Sequence, residues 1–316
     1  MNPKKLRIIF MGTPDFAVGV LDGLLKNDYQ VVGVITAVDK PAGRGKKLRA
    51  SSVKEYALKH KIPVLQPPNL KNEFFLKELA SYNADLQIIV AFRMLPRLVW
   101  DMPKLGTFNL HASLLPAYRG AAPINWAIIN GEKETGVTTF FIDEKIDTGE
   151  ILLQEKIEIS SDETAGSLHD KLMNLGSNLV IKTVDLIATE SYQTKKQPAI
   201  APSLAPKLYK TTCQIDWAEP LTKIYNKVRG LSPYPAAWSK IVSDDDEYTI
   251  KIYKSHPEYI KHYDKIGTIH FTKKTMKIAV TDGYLFLDEV QLSGKKRMDI
   301  VSLLNGFRLA IDAKIL

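Results

Sequence analysis

In the stretch TFNLHASLLPAYRGAAP, residues 107–123, Asn109, His111 and Ser113 stand two residues apart. An extended strand turns every second side chain to the same face, so an amide, an imidazole and a hydroxyl are expected in one row. Such a row fits two situations: the wet face of a strand, or reactive groups at a strand's carboxyl end. A second stretch, GVTTFFIDEKIDTGE at 136–150, places Asp143 and Asp147 just past another strand pattern. Open α/β sheets collect ligands beyond the carboxyl ends of their strands. An Asp there can pair with a neighbouring His and keep its imidazolium charged. Asn109 adds an amide donor to such a pair, and Ser113 a hydroxyl. Hydrolytic and metal chemistry are poorly matched. No G-x-S-x-G elbow surrounds Ser113, and no H-E-x-x-H or paired-His spacing occurs.

Phosphate-binding signatures are mostly missing. The first strand pattern is followed by Gly12 and then Gly19, which fails the G-x-G-x-x-G fingerprint and argues against a nicotinamide dinucleotide. PAGRGKK at 41–47 only looks like a P-loop, because Lys40 and Lys47 stand where glycine and Ser or Thr are required. The segment KPAGRGKKLR, 40–49, still puts five cations and two glycines in one loop. That is either a phosphate-seeking loop or a solvated one.

The elements that must position these groups alternate along the first part of the chain. LRIIFM, VVGVIT, IPVLQ, DLQIIVAF and GTFNLHA read as strands, with helical patterns between them. A long helical pattern covers about 162–187. Strand–helix alternation with continuous apolar strands predicts an α/β fold with a doubly wound, mostly parallel sheet. Thr13-Pro14-Asp15 reads as the start of the first helix, with Thr13 as cap and Pro14 at the first helical position. Residues 191–209 hold three prolines and no period, as a linker does. Beyond them a helix near 219–229 precedes several short strands, which suggests a small β-barrel or sandwich. The expected division is therefore 1–190, a linker at 191–209, and 210–316.

Charge separates the two parts. Residues 1–190 carry 23 Lys and Arg against 22 Asp and Glu, whereas 191–316 carry 20 against 13. A nearly neutral first part and a basic second part fit a protein whose second part meets a polyanion. The lone Cys213 excludes an internal disulfide. LRIIFMG reads as a first strand rather than a secretory signal, and no apolar run approaches the ~18–20 residues of a membrane span. A cytoplasmic location without membrane contact is expected.

NLHASLLPAYRGAAPINWAI followed by IDTGEILLQ resembles the signature of folate-dependent formyltransferases. FMGTPDFAV, DKPAGRGKKL, VAFRMLP and, further on, APKLYK, IDW and IYNKVRGLSPYPAAW resemble the members of that family that act on aminoacylated tRNA. The likeness runs in order from about residue 6 to 240, although Phe92-Arg93 stand where many members have Tyr-Gly. It implies a Rossmann-like catalytic domain over 1–190 and a smaller, OB-like β-barrel that binds tRNA over 210–316. It also implies 10-formyltetrahydrofolate as formyl donor, aminoacylated initiator tRNA as acceptor, no metal and a monomer. By the same resemblance the catalytic trio is Asn109, His111 and Asp147. The folate segment is Ser113, Leu114, Leu115 and Pro116, and Arg44, Lys46 and Lys47 meet tRNA. A formyltransferase acting on an amino-sugar nucleotide or a purine precursor would use the same Asn, His and Asp. The basic loop and basic second part argue against it. A nucleic-acid-binding protein that has lost catalysis is a further alternative, against which stand the three catalytic residues at the family's spacing.

Overall fold

The computed structural model describes every residue except 43–46, 191, 245 and 311–312, together with the side chains of residues 42 and 47. The chain divides into two compact units, neither continuous in sequence. The first comprises 1–120, 135–157 and 169–204; the second comprises 121–134, 158–168 and 205–316.

The first unit is built on a seven-stranded sheet. Its strands are β1 (Ile8–Gly12), β2 (Val31–Ile35), β3 (Val64–Leu65), β4 (Leu86–Val90), β5 (Thr107–His111), β6 (Glu134–Phe141) and β7 (Ile151–Glu158). Their spatial order is β7-β6-β5-β4-β1-β2-β3. Every pairing from β3 to β5 is parallel. The strands β1 and β4 are buried at every position, which is why IIFMG reads as an unbroken run and LQIIV as an apolar run interrupted only by Gln87. Helices α1 (Asp15–Lys26), α2 (Ser52–Lys59) and α3 (Glu73–Ser81) follow the first three strands of that alternation. On α1 the buried residues Phe16, Val20, Leu21 and Leu24 repeat at helical spacing. Ser51 caps α2 and Asn72 caps α3, each side-chain oxygen accepting a backbone N–H three residues on. The first helix differs from expectation: it begins at Asp15 with Pro14 in the cap position, and no side chain caps it. Pro14 has no side-chain oxygen to accept a helix N–H, and Asp15 in the first turn complements the positive end of the helix instead.

The expected doubly wound sheet is present, with one departure that matters for the site. The strand β6 runs antiparallel to β5, pairing Phe141 with Phe108 and Thr138 with His111. The chain thus leaves β6 beside the start of β5, away from its carboxyl end. Residues 142–150 must come back before β7 begins.

The second unit contains helices α5 (Pro123–Ile129), α7 (Leu221–Leu231) and α8 (Ile300–Gly306), with α4 (Arg97–Trp100) and most of α6 (Ala165–Ala188) belonging to the first. Its sheet has β8 (Ala237–Ser243), β9 (Asp246–Glu258), β10 (Ile269–Phe271), β11 (Met276–Val280), β12 (Gly283–Leu292) and β13 (Lys314–Ile315). The order is β10-β11-β12-β9-β8-β13, all antiparallel. A bridge between Thr268 and Lys314 brings the two ends of this order together, so the sheet is a nearly closed barrel. Closure removes the unpaired edges that an open small sheet would present. Its core includes Trp217, Leu221, Ile250, Leu285 and Ile315. The barrel was expected. Helix α8 was not, because only Ile300 and Leu303 of its seven residues are buried, too few for a visible period.

Candidate active site

On β5, Phe108 and Leu110 enter the core, while Asn109 and His111 share the opposite face. The Asn109 Oδ1 is buried and has no hydrogen-bond partner. An unmet buried acceptor costs about 1–3 kcal/mol, so its retention points to a use for the amide. The third member of the expected row departs from it. The strand ends at His111, and Ser113 lies past it, fully buried, with Oγ donating to Ala117 O at 2.7 Å. Its hydroxyl braces a turn.

His111 is buried and held from both sides. Its Nε2 is 2.9 Å from Tyr118 O, and a carbonyl only accepts, so Nε2 carries the hydrogen. The Nδ1 then faces Asp147 Oδ2 at 4.0 Å. That gap is too long for a direct hydrogen bond. Asp147 Oδ2 also accepts Gly120 N–H at 3.0 Å. Both residues that address His111 have left-handed backbones, Tyr118 at φ +60° and Asp147 at φ +55°. Non-glycine residues in that region store strain and cluster at functional sites.

Asp147 does not reach the site as a simple extension of a strand end. The segment 142–150 returns from the far end of β6, and its return is tight. A Cβ on Gly149 would lie 1.7 Å from Phe141 O, so only glycine lets the two backbones meet. Gly149→Ala is expected to destabilise the protein by about 3 kcal/mol, the upper end of overpacking costs. The shift would appear as a lower denaturant midpoint, with loss of turnover at temperatures where the variant is still folded.

The remaining expected residues are placed as follows. Leu115 is buried with Phe140 and Ile151, while Leu114 and Pro116 are half-buried. Thr138 ties the segment down: its Oγ1 donates to Ser113 O at 2.7 Å and accepts Leu115 N–H at 3.1 Å. Gln154 Nε2 adds a bond to Leu115 O at 2.9 Å. Asp143 is apart from the site, where it accepts Lys145 N–H and the Thr148 hydroxyl as a loop staple. The basic loop is framed by a short hairpin in which Lys40–Ala42 pair with Lys47–Arg49. Arg44 and Lys46 lie outside the described residues, and Lys47 is described only in its backbone.

Two residues unanticipated from sequence join the site. The Arg119 guanidinium is buried and donates to Gln197 Oε1, and Gln197 Nε2 donates to Asp147 O and Gly149 O. Arg119 could have been found in the AYRG turn; nothing around Gln197 marks it. Elsewhere in the first unit, a cleft of 690 Å³ opens between Pro68–Lys71 and Arg93–Leu98. Arg93 donates to the carbonyls of Pro67 and Pro68, so its side chain ties one wall of that cleft to the other. Among the described residues, no group of three or more His, Cys, Asp or Glu could hold a metal, and no helix is long and apolar enough to cross a membrane.

An amide with an unpaired oxygen, an imidazole and a carboxylate are gathered around the end of β5, a set of the kind that suits group transfer, in which an oxyanion is stabilised and a proton relayed. The chain belongs to the formyltransferase family: the family described as "Formyl transferase" matches residues 4–184, and "Formyl transferase, C-terminal domain" matches 207–308. Two relatives similar over their whole length are methionyl-tRNA formyltransferases. That of Flavobacterium johnsoniae is 56% identical over 313 residues, 99% of each chain; that of Bacteroides thetaiotaomicron is 52% identical over 321 residues, 100% of each. Among solved structures, the N-formyltransferase of Helicobacter canadensis in complex with folinic acid and dTDP-3-aminofucose has the same fold. Its TM-score is 0.63 at 22% identity, covering 93% of this chain and 100% of that one. HypX of Aquifex aeolicus in complex with tetrahydrofolic acid matches with a TM-score of 0.64 at 17% identity. The match covers 95% of this chain and 47% of HypX, so this chain spans about half of that protein's length. The likeness drawn from the motifs is borne out.

Proposed function

We propose that this enzyme moves the formyl group of 10-formyltetrahydrofolate to the free amino group of methionyl-tRNA, in its initiator form. The observation that carries the chemistry is Asn109, whose amide oxygen is tied to no protein group, on the same strand face as His111 of the His111–Asp147 pair. The neutral amine attacks the formyl carbon, forming the new C–N bond while the carbonyl electrons move onto oxygen. Asn109 Nδ2–H donates to that oxyanion. His111 fixes Nε2 on Tyr118 O, which leaves Nδ1 to pass a proton to the departing folate nitrogen as its C–N bond breaks. Asp147 steadies the charged ring and helps remove the proton that the attacking amine gives up. The segment Ser113–Pro116 positions the folate through backbone groups and the flanks of Leu114 and Pro116. The donor set requires no metal, and the relatives' names support the acceptor.

Within this reading residues 1–190 carry the chemistry, 191–209 connect, and 210–316 hold the tRNA, in a monomeric, cytoplasmic enzyme. The excess of cations beyond residue 190 supports the acceptor, since a small amino sugar needs no basic barrel. The test is a panel of acceptors with donor labelled in the formyl carbon. Label is expected on charged initiator tRNA and absent from uncharged tRNA and amino-sugar nucleotides. Label on the sugar alone would reassign the substrate.

A further inference from the structure

The proline-rich segment after α6 does more than connect. It supplies hydrogen bonds to both residues that address His111. Ser203 O accepts Tyr118 N–H at 2.9 Å, and Gln197 Nε2 donates to the carbonyls of Asp147 at 3.1 Å and Gly149 at 2.7 Å. Gln197 is itself held. Its Oε1 accepts from Arg119 Nε at 3.2 Å and Nη2 at 2.8 Å, while the same guanidinium reaches Pro198 O and Ala199 O. Upstream, Lys195 and Ile151 exchange backbone hydrogen bonds of 2.9 Å in both directions, and Thr194 donates to Glu150. The segment thus lies as an extra antiparallel piece along the returning arm of the Asp147 loop.

From this geometry we infer that Gln197 is a positioning residue for Asp147, with Arg119 as its anchor; the inference rests on the formyl-transfer reading above. The physical need for it is visible. Asp147 has a left-handed backbone at φ +55°, which a residue with a side chain does not keep unless its surroundings enforce it. Its carbonyl is turned toward Gln197, and its side chain must at the same time place Oδ2 both 3.0 Å from Gly120 N and 4.0 Å from His111 Nδ1. Releasing the carbonyl lets the peptide relax toward an ordinary φ, and the carboxylate swings away from the ring. The Arg119 fork matters because it leaves Gln197 no choice of orientation. The guanidinium only donates, so the amide oxygen must face it and the amide nitrogen must face the loop.

The test compares Gln197→Glu and Gln197→Met with the full-length wild type, measuring formyl transfer to charged tRNA. Gln197→Glu keeps the acceptor for Arg119 and loses both donors, so it carries the test should Gln197→Met fail to fold. Each variant is expected to lower kcat on the order of 10²-fold, the cost of misplacing a group by about an ångström. The KM values for donor and tRNA are expected to stay within about twofold, because both polar atoms of Gln197 are engaged by protein groups. The decisive arm repeats Gln197→Glu in the Asp147→Asn background. A residue that acts through Asp147 adds less than about threefold there, whereas an independent effect would multiply in full. Variants with wild-type kcat, or a full further loss in the Asp147→Asn background, would overturn the inference. A wild type that does not formylate charged tRNA would instead sink the functional reading.

Discussion

Replacing Asn109 or His111 with Ala is expected to lower kcat by about 10²–10³, the loss expected when an oxyanion donor or a general acid is removed from an acyl-transfer site. The two side chains differ in what else they do, and that difference makes the pair informative. Asn109 leaves its amide oxygen unpaired in the folded protein, so Asn109→Ala removes an unmet buried acceptor and is expected to leave stability unchanged or slightly raised. His111 bonds Tyr118 O, so His111→Ala loses a buried hydrogen bond and is expected to cost about 0.5–1.5 kcal/mol as well. Asp147→Asn is expected to be as damaging to turnover as either, because it removes the charge facing Nδ1. Asp143→Ala is the control: Asp143 staples its own loop through Lys145 and Thr148 and stays within a few-fold of wild type. Single-turnover formyl transfer beside a denaturant melt separates these outcomes. Near-normal turnover in a folded Asn109→Ala or His111→Ala variant would remove that residue from the chemistry.

The parts of the site that were legible in the sequence are those fixed by strand period. Asn109 and His111 differ by two positions within one short strand, and period alone puts them on one face. The same period over-reached at Ser113, because a strand's end is set by where hydrogen-bonding partners stop. The chain there is turned by Thr138 and Ala117. Asp147 was found for a reason that holds only in part. The carboxyl-end rule belongs to parallel strands, and GVTTFFID carries nothing in its side-chain pattern to say that it pairs antiparallel with β5. What brings Asp147 back is a set of contacts distant in sequence: a glycine against Phe141 and an amide from a segment whose prolines read only as absence of structure. Gln197 could not be found that way, since its role depends on a guanidinium 78 residues earlier.

Charged tRNA should be lost as a substrate when salt rises, and this is the larger expected effect. A protein neutralising 6–10 phosphates loses about 10³–10⁵ in affinity between 50 and 200 mM salt, through counterions no longer released on binding. The barrel unit has the charge for such contacts: seven lysines lie between 251 and 277 against Glu258 and Asp264. Not all are available, since Lys277 is committed to Glu258 at 3.0 Å and lies over the Tyr284 ring. The basic segment at 40–49 adds its own cations, and its two ends, Lys40–Ala42 and Lys47–Arg49, pair antiparallel. Replacing Arg44, Lys46 and Lys47 together with Ala is expected to reduce kcat/KM for charged tRNA and to flatten its log–log salt slope by about 0.7–0.9 per lost contact. Folate affinity, measured by titration, is expected to be unchanged if those cations address phosphate, as proposed, rather than the donor. The same substitutions made in pairs should give proportionate slopes, since counterion release counts contacts. An unchanged slope would make the hairpin a solvated surface feature. Loss of folate binding would place it in the donor pocket instead.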